Sequence, residues 1–222
     1  MEDKSLSKLG GICAIIVGIL YIVGGAAYLT LPADMKTGSD PGAFLAAFAN
    51  EPTMATLQYW AFAFIGVFAI AVVLAVSAKV RSQNEGWVRW TSNLALIGFA
   101  VVALQYSRYI VLYADRAATY AAGDAATKAA LAANQSLATL DQFGFLAYGA
   151  VGLWFLVVNL LALGGDTWPK ILAYLGIVGA IAYEFVMIGQ LCEVELFVTI
   201  AAGTAVIVGP IWYIWMGSIL RK

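Results

Sequence analysis

Two ionisable residues, Arg108 and Glu184, interrupt runs that are otherwise apolar. In that setting a guanidinium and a carboxylate could hold a polar ligand, carry a proton or pair with each other. A charge at mid-helix in a bilayer costs roughly 2.5–3.5 kcal/mol on insertion scales, so each must find a partner or water. Glu184 stands nine positions before Glu193, about 13 Å along a helix at ~1.5 Å per residue. Arg108 stands seven positions before Asp115, about 10 Å by the same rise. At such similar depths a long arginine would reach the carboxylate if the segments carrying them were neighbours. Gln58, Tyr59, Gln105, Tyr109, Asp141, Gln142 and Gln190 fall near the same level, and Gln105, Arg108, Tyr109 and Leu112 share one helix face by their spacing.

The expectation is a polar pocket opening outward, with Arg108, Glu184, Gln105, Tyr109, Asp141, Gln142, Gln58 and Tyr59 as its ligand-binding residues. Structural readings stand beside it. Arg108 can snorkel to the headgroups, an Arg108–Glu184 pair can fasten two helices without doing chemistry, and tyrosines are commonly interface residues.

Absent residue types narrow the chemistry. The chain has no histidine, which removes the usual axial haem ligand, the commonest zinc ligand and the side chain that titrates near neutrality. No phosphate-cradling loop, nucleophile elbow, Cys-rich metal motif or paired His/Asp set occurs, so no cofactor or metal is expected. A membrane enzyme acting on lipid would have to draw its acid and base from Glu184 with Asp141 or Glu193.

These residues are carried by elements that belong in lipid. Of 222 residues 63% are apolar and 11% charged, against roughly 45–50% and about 25% in a soluble domain. The net charge of -1 points to no nucleic-acid partner. Runs long enough to cross a hydrocarbon core of ~30 Å lie at approximately 9–31, 55–78, 88–114, 143–163, 171–191 and 196–216. The third contains Arg108 and the fifth Glu184. The fold class is therefore all-α, a single transmembrane domain over 1–222, built as a six-helix bundle with short helices on its outer surface.

Lysine and arginine set the orientation, because cytoplasmic flanks carry the excess. With both termini inside, Lys4, Lys8, Lys79, Arg81, Arg89, Lys170, Arg221 and Lys222 are internal, and Lys36, Arg116 and Lys128 external. The outer face is then acidic, and Cys13 and Cys192 lie on opposite sides of the membrane, where they cannot form a disulfide within the chain. Trp87, Trp90 and Trp168 would form the inner aromatic belt, and Tyr59, Trp60, Tyr109 and Tyr113 the outer one. The N-terminal apolar run continues to Leu31, longer than a cleaved signal core, and reads as a retained helix.

Outside the spans, Asp40-Pro41 followed by Phe44, Leu45 and Phe48 predicts a capped, one-sided helix on the outer surface. Asp115 to Ser136 is alanine-rich and helical, with a break and restart at Gly123-Asp124. The connection at Glu193–Glu195 is a tight turn. Gly10, Gly11, Gly18, Gly24, Gly25, Gly176 and Gly179 permit close helix contact, and Gly209-Pro210 should kink the last span. Lys8, Arg89 and Lys170 stand 81 positions apart in succession, with Trp87 and Gly98 matching Trp168 and Gly179 at that offset. Met54-Ala55-Thr56-Leu57 resembles Leu137-Ala138-Thr139-Leu140 at an offset of 83. Either a worn two-helix repeat or chance spacing of similar hairpins accounts for this.

The opening Leu9-Gly10-Gly11-Ile12 into a glycine-broken first helix, and Tyr106-Ser107-Arg108-Tyr109 late in the third span, resemble the bacterial and archaeal multi-pass proteins grouped as domain of unknown function 4386. The resemblance implies a six-helix protein of the prokaryotic cytoplasmic membrane and supplies no catalytic residues. Two functions are expected from the chain itself. One is binding or transport of a small polar or amphipathic ligand. The other is a non-catalytic subunit or scaffold, its charge pair purely structural and its partner another protein or a second copy. Membrane lipid surrounds the chain in both.

Overall fold

The computed structural model describes residues 4–37, 40–134 and 139–222. Its helices are α1 (Lys4–Thr30), α2 (Ala33–Thr37), α3 (Pro41–Asn50), α4 (Pro52–Val80), α5 (Glu85–Ala122), α6 (Ala125–Ala133), α7 (Val151–Gly165), α8 (Lys170–Leu191) and α9 (Glu195–Leu220). A π-helical turn, Phe145–Ala150, leads directly into α7. Among the described residues there is no strand. Six helices are long and apolar enough to cross a membrane: α1, α4, α5, Phe145–Gly165, α8 and α9. Each covers all or most of one of the six apolar runs. Helix formation satisfies the mid-span backbone groups internally, which hydrocarbon requires, apart from the one bond that Pro210 cannot donate in α9.

These six close into a ring. Each packs against the next in the chain, α1 on α4, α4 on α5, α5 on the π turn and α7, α7 on α8, α8 on α9, and α9 returns to α1. Closure uses small residues. A Cβ built on Gly217 of α9 would lie 2.6 Å from the Gly11 carbonyl oxygen of α1, so only glycine lets these backbones approach. α9 runs unbroken through Pro210, whose carbonyl faces Gly18 on the same seam. Outside the ring the surface stays apolar, with Ile19, Ile22, Leu104, Val111, Leu160, Ile171 and Ile207 all exposed, as side chains facing lipid should be.

At one end of the ring the connections fold into a cap. α3 begins where Asp40 accepts hydrogen bonds from Gly42 N (2.8 Å) and Ala43 N (3.1 Å), with Pro41 in its first turn. Its buried face is Phe44, Leu45 and Phe48, as the spacing predicts, and it packs on α5 and α4. α5 has 38 residues, about 57 Å at ~1.5 Å per residue, so it projects well beyond a ~30 Å core. It stops at Gly123, and Asp124 restarts the chain as the α6 cap by accepting from Thr127 N at 2.8 Å. That bond holds the Asp124 carboxyl below the usual carboxylate range. The predicted helical stretch ends at Asn134 among the described residues; Gln135 and Ser136, and Leu137-Ala138 of the possible repeat, lie outside them.

The aromatic belts are only partly as expected. Trp87, Trp90 and Trp60 are exposed, but Trp168 is buried in the bundle. Tyr59, Tyr109 and Tyr113 pack under α3, with Phe44–Tyr113 and Tyr109–Tyr113 ring centroids 5.0 and 4.9 Å apart. The cap covers them where a bare span end would have left them facing headgroups.

Gly217→Val should push α9 from α1 and lower stability by about 1–3 kcal/mol, the usual range for overpacking. Gly164→Ala, at a position where an added Cβ meets nothing within 4 Å, should cost less than ~0.5 kcal/mol. Reversible unfolding in mixed micelles measures both.

Candidate functional site

The ring encloses a cavity of about 330 Å³ to which all six spans contribute. Its walls are mainly apolar: Phe62 and Ile65 from α4, Phe99 and Val102 from α5, Phe155 from α7, and Ala201, Ala205 and Val206 from α9. On α8 the lining extends from Leu175 to Gln190, about 22 Å at ~1.5 Å per residue. Lys36, Tyr28, Gln58 and Gln190 lie at the end nearest α2 and α3, and Trp212 and Leu175 lie at the far end. Between them five tyrosines, Tyr21, Tyr106, Tyr148, Tyr183 and Tyr213, turn inward.

The hydroxyls of Tyr21 and Tyr183 are 2.7 Å apart and satisfy each other across the ring. Tyr106 and Tyr148 interact across the next sector. Tyr213 stacks on Tyr21 at 5.6 Å between ring centroids, is 1% exposed, and has a buried hydroxyl without a hydrogen-bond partner among the described residues. The Gln190 Oε1 oxygen is likewise buried and unpartnered. Such groups are ordinarily paired, with protein atoms or ordered water; Trp168 Nε1, away from the cavity, is a third among the described residues.

Local geometry explains how the tyrosines get there. Asp141 Oδ1 accepts from Phe145 N at 3.0 Å, and its Oδ2 accepts from Leu146 N and Ala147 N at 2.8 Å each. Gly144, at φ 70°, supplies the left-handed turn before this cap. The resulting π turn, with Gly149 N bonded to Gly144 O at 3.0 Å, carries Ala147 and Tyr148 to the cavity. Tyr21, Val102 and Tyr183 stand 81 positions apart in succession and all three line the cavity. Of the pair Gly98 and Gly179 at the same offset, only Gly179 lines the cavity.

The far half of the ring is held by polar bonds that composition does not reveal. Trp154 Nε1 donates to Ser77 Oγ at 2.9 Å, and Ser92 Oγ lies 2.6 Å from Ser77 Oγ, joining α7, α4 and α5. Trp212 Nε1 donates to Asn159 Oδ1 at 3.3 Å, joining α9 to α7. Asn159 is therefore a fastening residue next to the cavity floor.

The expected pocket residues are not gathered in one place. Gln58 lines the cavity. Gln105 is buried, and its Oε1 accepts from Leu140 N; the Tyr109 hydroxyl lies 3.1 Å from Thr139 Oγ1, so both tie the segment before the π turn to α5. Asp141 is a helix cap, Tyr59 belongs to the aromatic cluster under α3, and Gln142 is exposed. Arg108 is exposed on α5 and acts electrostatically on Tyr109. Glu184 Oε1 lies over Gly152 at the seam of α7 and α8. Among the described residues no ion pair joins Arg108 to Glu184. The reason is topological. α5 packs on α4, α7 and α3, and α8 on α7 and α9, so α7 stands between the helices that carry the two charges.

The cavity tyrosines were missed because tyrosine in a membrane protein reads first as an interface residue. The available signal was depth: Tyr21 and Tyr183 lie well inside their spans, at levels where an interface residue has no reason to be. Among the described residues, the lining holds no carboxylate, thiol or imidazole. It offers hydroxyl and amide hydrogen bonds within apolar walls.

A family model described as a domain of unknown function, DUF4386, matches residues 11–217. The chain belongs to this family. The match spans all six long helices, and therefore the whole ring around the cavity. Searches of curated proteins and of solved structures find no match.

Asp141→Ala should release three backbone N–H groups and cost about 1–2 kcal/mol, the upper part of the range for a lost cap. Amide exchange at Phe145, Leu146 and Ala147 should rise well above that of α7, whereas Gln142→Ala should leave it unchanged.

Proposed function

We propose that this member of the DUF4386 family binds a small amphipathic molecule in the centre of its ring. The observation that carries this reading is the open cavity lined from every span. A purely structural bundle would fill that volume with side chains, because interiors pack densely. About 330 Å³ falls at the lower end of the ~300–1,000 Å³ typical of small-molecule sites. The positive-inside bias, taken with the sequence, turns the Lys36 end of the cavity outward. An outward mouth suits capture or release of a ligand on the far side of the membrane.

Gly179 supplies the test, because it lines the cavity and an added Cβ there would meet only Val208, at 3.9 Å. Native mass spectrometry of protein purified in mild detergent should show a bound small molecule in wild type. It should be lost in Gly179→Leu and kept in Gly203→Leu, a position where an added Cβ meets nothing within 4 Å. Absence of any bound species, or equal retention in both variants, would contradict the reading. Orientation is checked separately: a membrane-impermeant maleimide on intact cells should label exposed Cys192 and leave buried Cys13 unmodified.

A further inference from the structure

The cavity's lining contains one charged side chain among the described residues, Lys36. Its position is fixed. Lys36 Nζ donates to the Leu29 carbonyl oxygen at 2.9 Å, in the last turn of α1, and sits 5.9 Å from the centre of the Tyr28 ring. An ammonium has three N–H donors, and the carbonyl takes one. The half-buried Lys36 side chain is part of the cavity lining, as are Gln58 and Gln190. The acidic residues of this end, Asp34, Asp40, Glu51, Glu193 and Glu195, do not line the cavity. Below Lys36 the lining continues to Trp212, apolar apart from the inward tyrosines, over about 22 Å of α8. That exceeds half of a ~30 Å hydrocarbon core, so an extended chain would fit along it. The α8 and α9 faces on this path are small, with Gly179, Ala182, Ala201, Ala202 and Ala205 leaving room for it.

We infer that the ligand is a single-chain amphipath with an anionic head, a carboxylate or phosphate monoester. The head pairs with Lys36 at the mouth, and the chain follows α8 and α9 toward Trp212. This rests on the cavity being a binding site and adds the ligand's class. The Lys36 ammonium has N–H donors beyond the one that the Leu29 carbonyl takes, and an anionic head would accept from them. Carboxylate and phosphate share this chemistry, so both are tested.

The probes are oleate, an oleoyl lysophosphatidic acid and oleyl alcohol, titrated onto the full chain in a non-ionic detergent and read by native mass spectrometry. Oleate or the lysophosphatidate should bind more tightly than the alcohol, and whichever binds better names the source. Lys36→Gln should weaken the anionic probe by at least about tenfold, the loss expected of a charge-assisted hydrogen bond, and leave the alcohol unchanged. Lys36→Arg should restore most of the affinity. Gly179→Leu should weaken all three probes.

Alcohol and acid binding alike, with Lys36→Gln neutral, would overturn the anionic head and leave the cavity reading standing. Probes binding equally to wild type and Gly179→Leu, or not at all, would overturn both. If Lys36→Gln fails to fold, loss of alcohol binding in that variant exposes it, and the Lys36→Arg affinity then decides. An arginine that binds the acid no better than the alcohol would refute the proposal.

Discussion

The closure of α9 onto α1 is the contact on which the remaining structure depends. Five neighbouring pairs are consecutive spans of the chain, three of them joined by short turns and two through the longer connections that carry α2, α3 and α6. The sixth is not. It requires two helices from opposite ends of the chain to meet, and Gly11 and Gly217 let their backbones approach where any side chain would collide. In hydrocarbon there is no hydrophobic drive for helices to associate, so van der Waals fit of this kind must provide it. Once closed, the ring has an inside, and the polar groups of the spans have somewhere to point other than lipid.

What lies inside follows from the geometry of a ring. Six helices around an axis leave a central space that side chains must fill or leave open. Toward one end the space is filled: Trp154, Phe155, Trp212 and Asn159 pack there, bonded through Ser77 and Ser92 to the neighbouring helices. Toward the other end it stays open, bordered by tyrosines that pair across it and by Tyr213 and Gln190, which do not pair. The cap of α3 and the long end of α5 covers part of this end with its own aromatic cluster.

Much of this architecture was legible in the sequence. The six apolar runs, the Asp40-Pro41 helix start with its Phe44, Leu45 and Phe48 face, and the break at Gly123-Asp124 each rest on local rules that lipid and backbone geometry enforce. The candidate site was much less legible, because it depends on which spans are neighbours. Arg108 and Glu184 have matching depths, but depth is one coordinate and the angle around the ring is another; α7 separates them. Asp141, Gln105 and Tyr109 looked like ligand groups because they are polar and near a span end. They are instead engaged by the backbone and side chain of residues 139–147. Conversely, Tyr21, Tyr148, Tyr183 and Tyr213 carry no charge and so gave no electrostatic signal, although the 81-residue offset relating Tyr21 to Val102 and Tyr183 was present throughout.

The account stands or falls on whether the ring's centre is occupied. The direct measurement is an experimental density map of the protein reconstituted in lipid nanodiscs made from its native membrane. It should show elongated density inside the ring, running from Lys36 past Tyr213 along α8 and α9, continuous over more than one helical turn. A ring collapsed onto Tyr213, or a centre holding only isolated water-sized peaks, would contradict it.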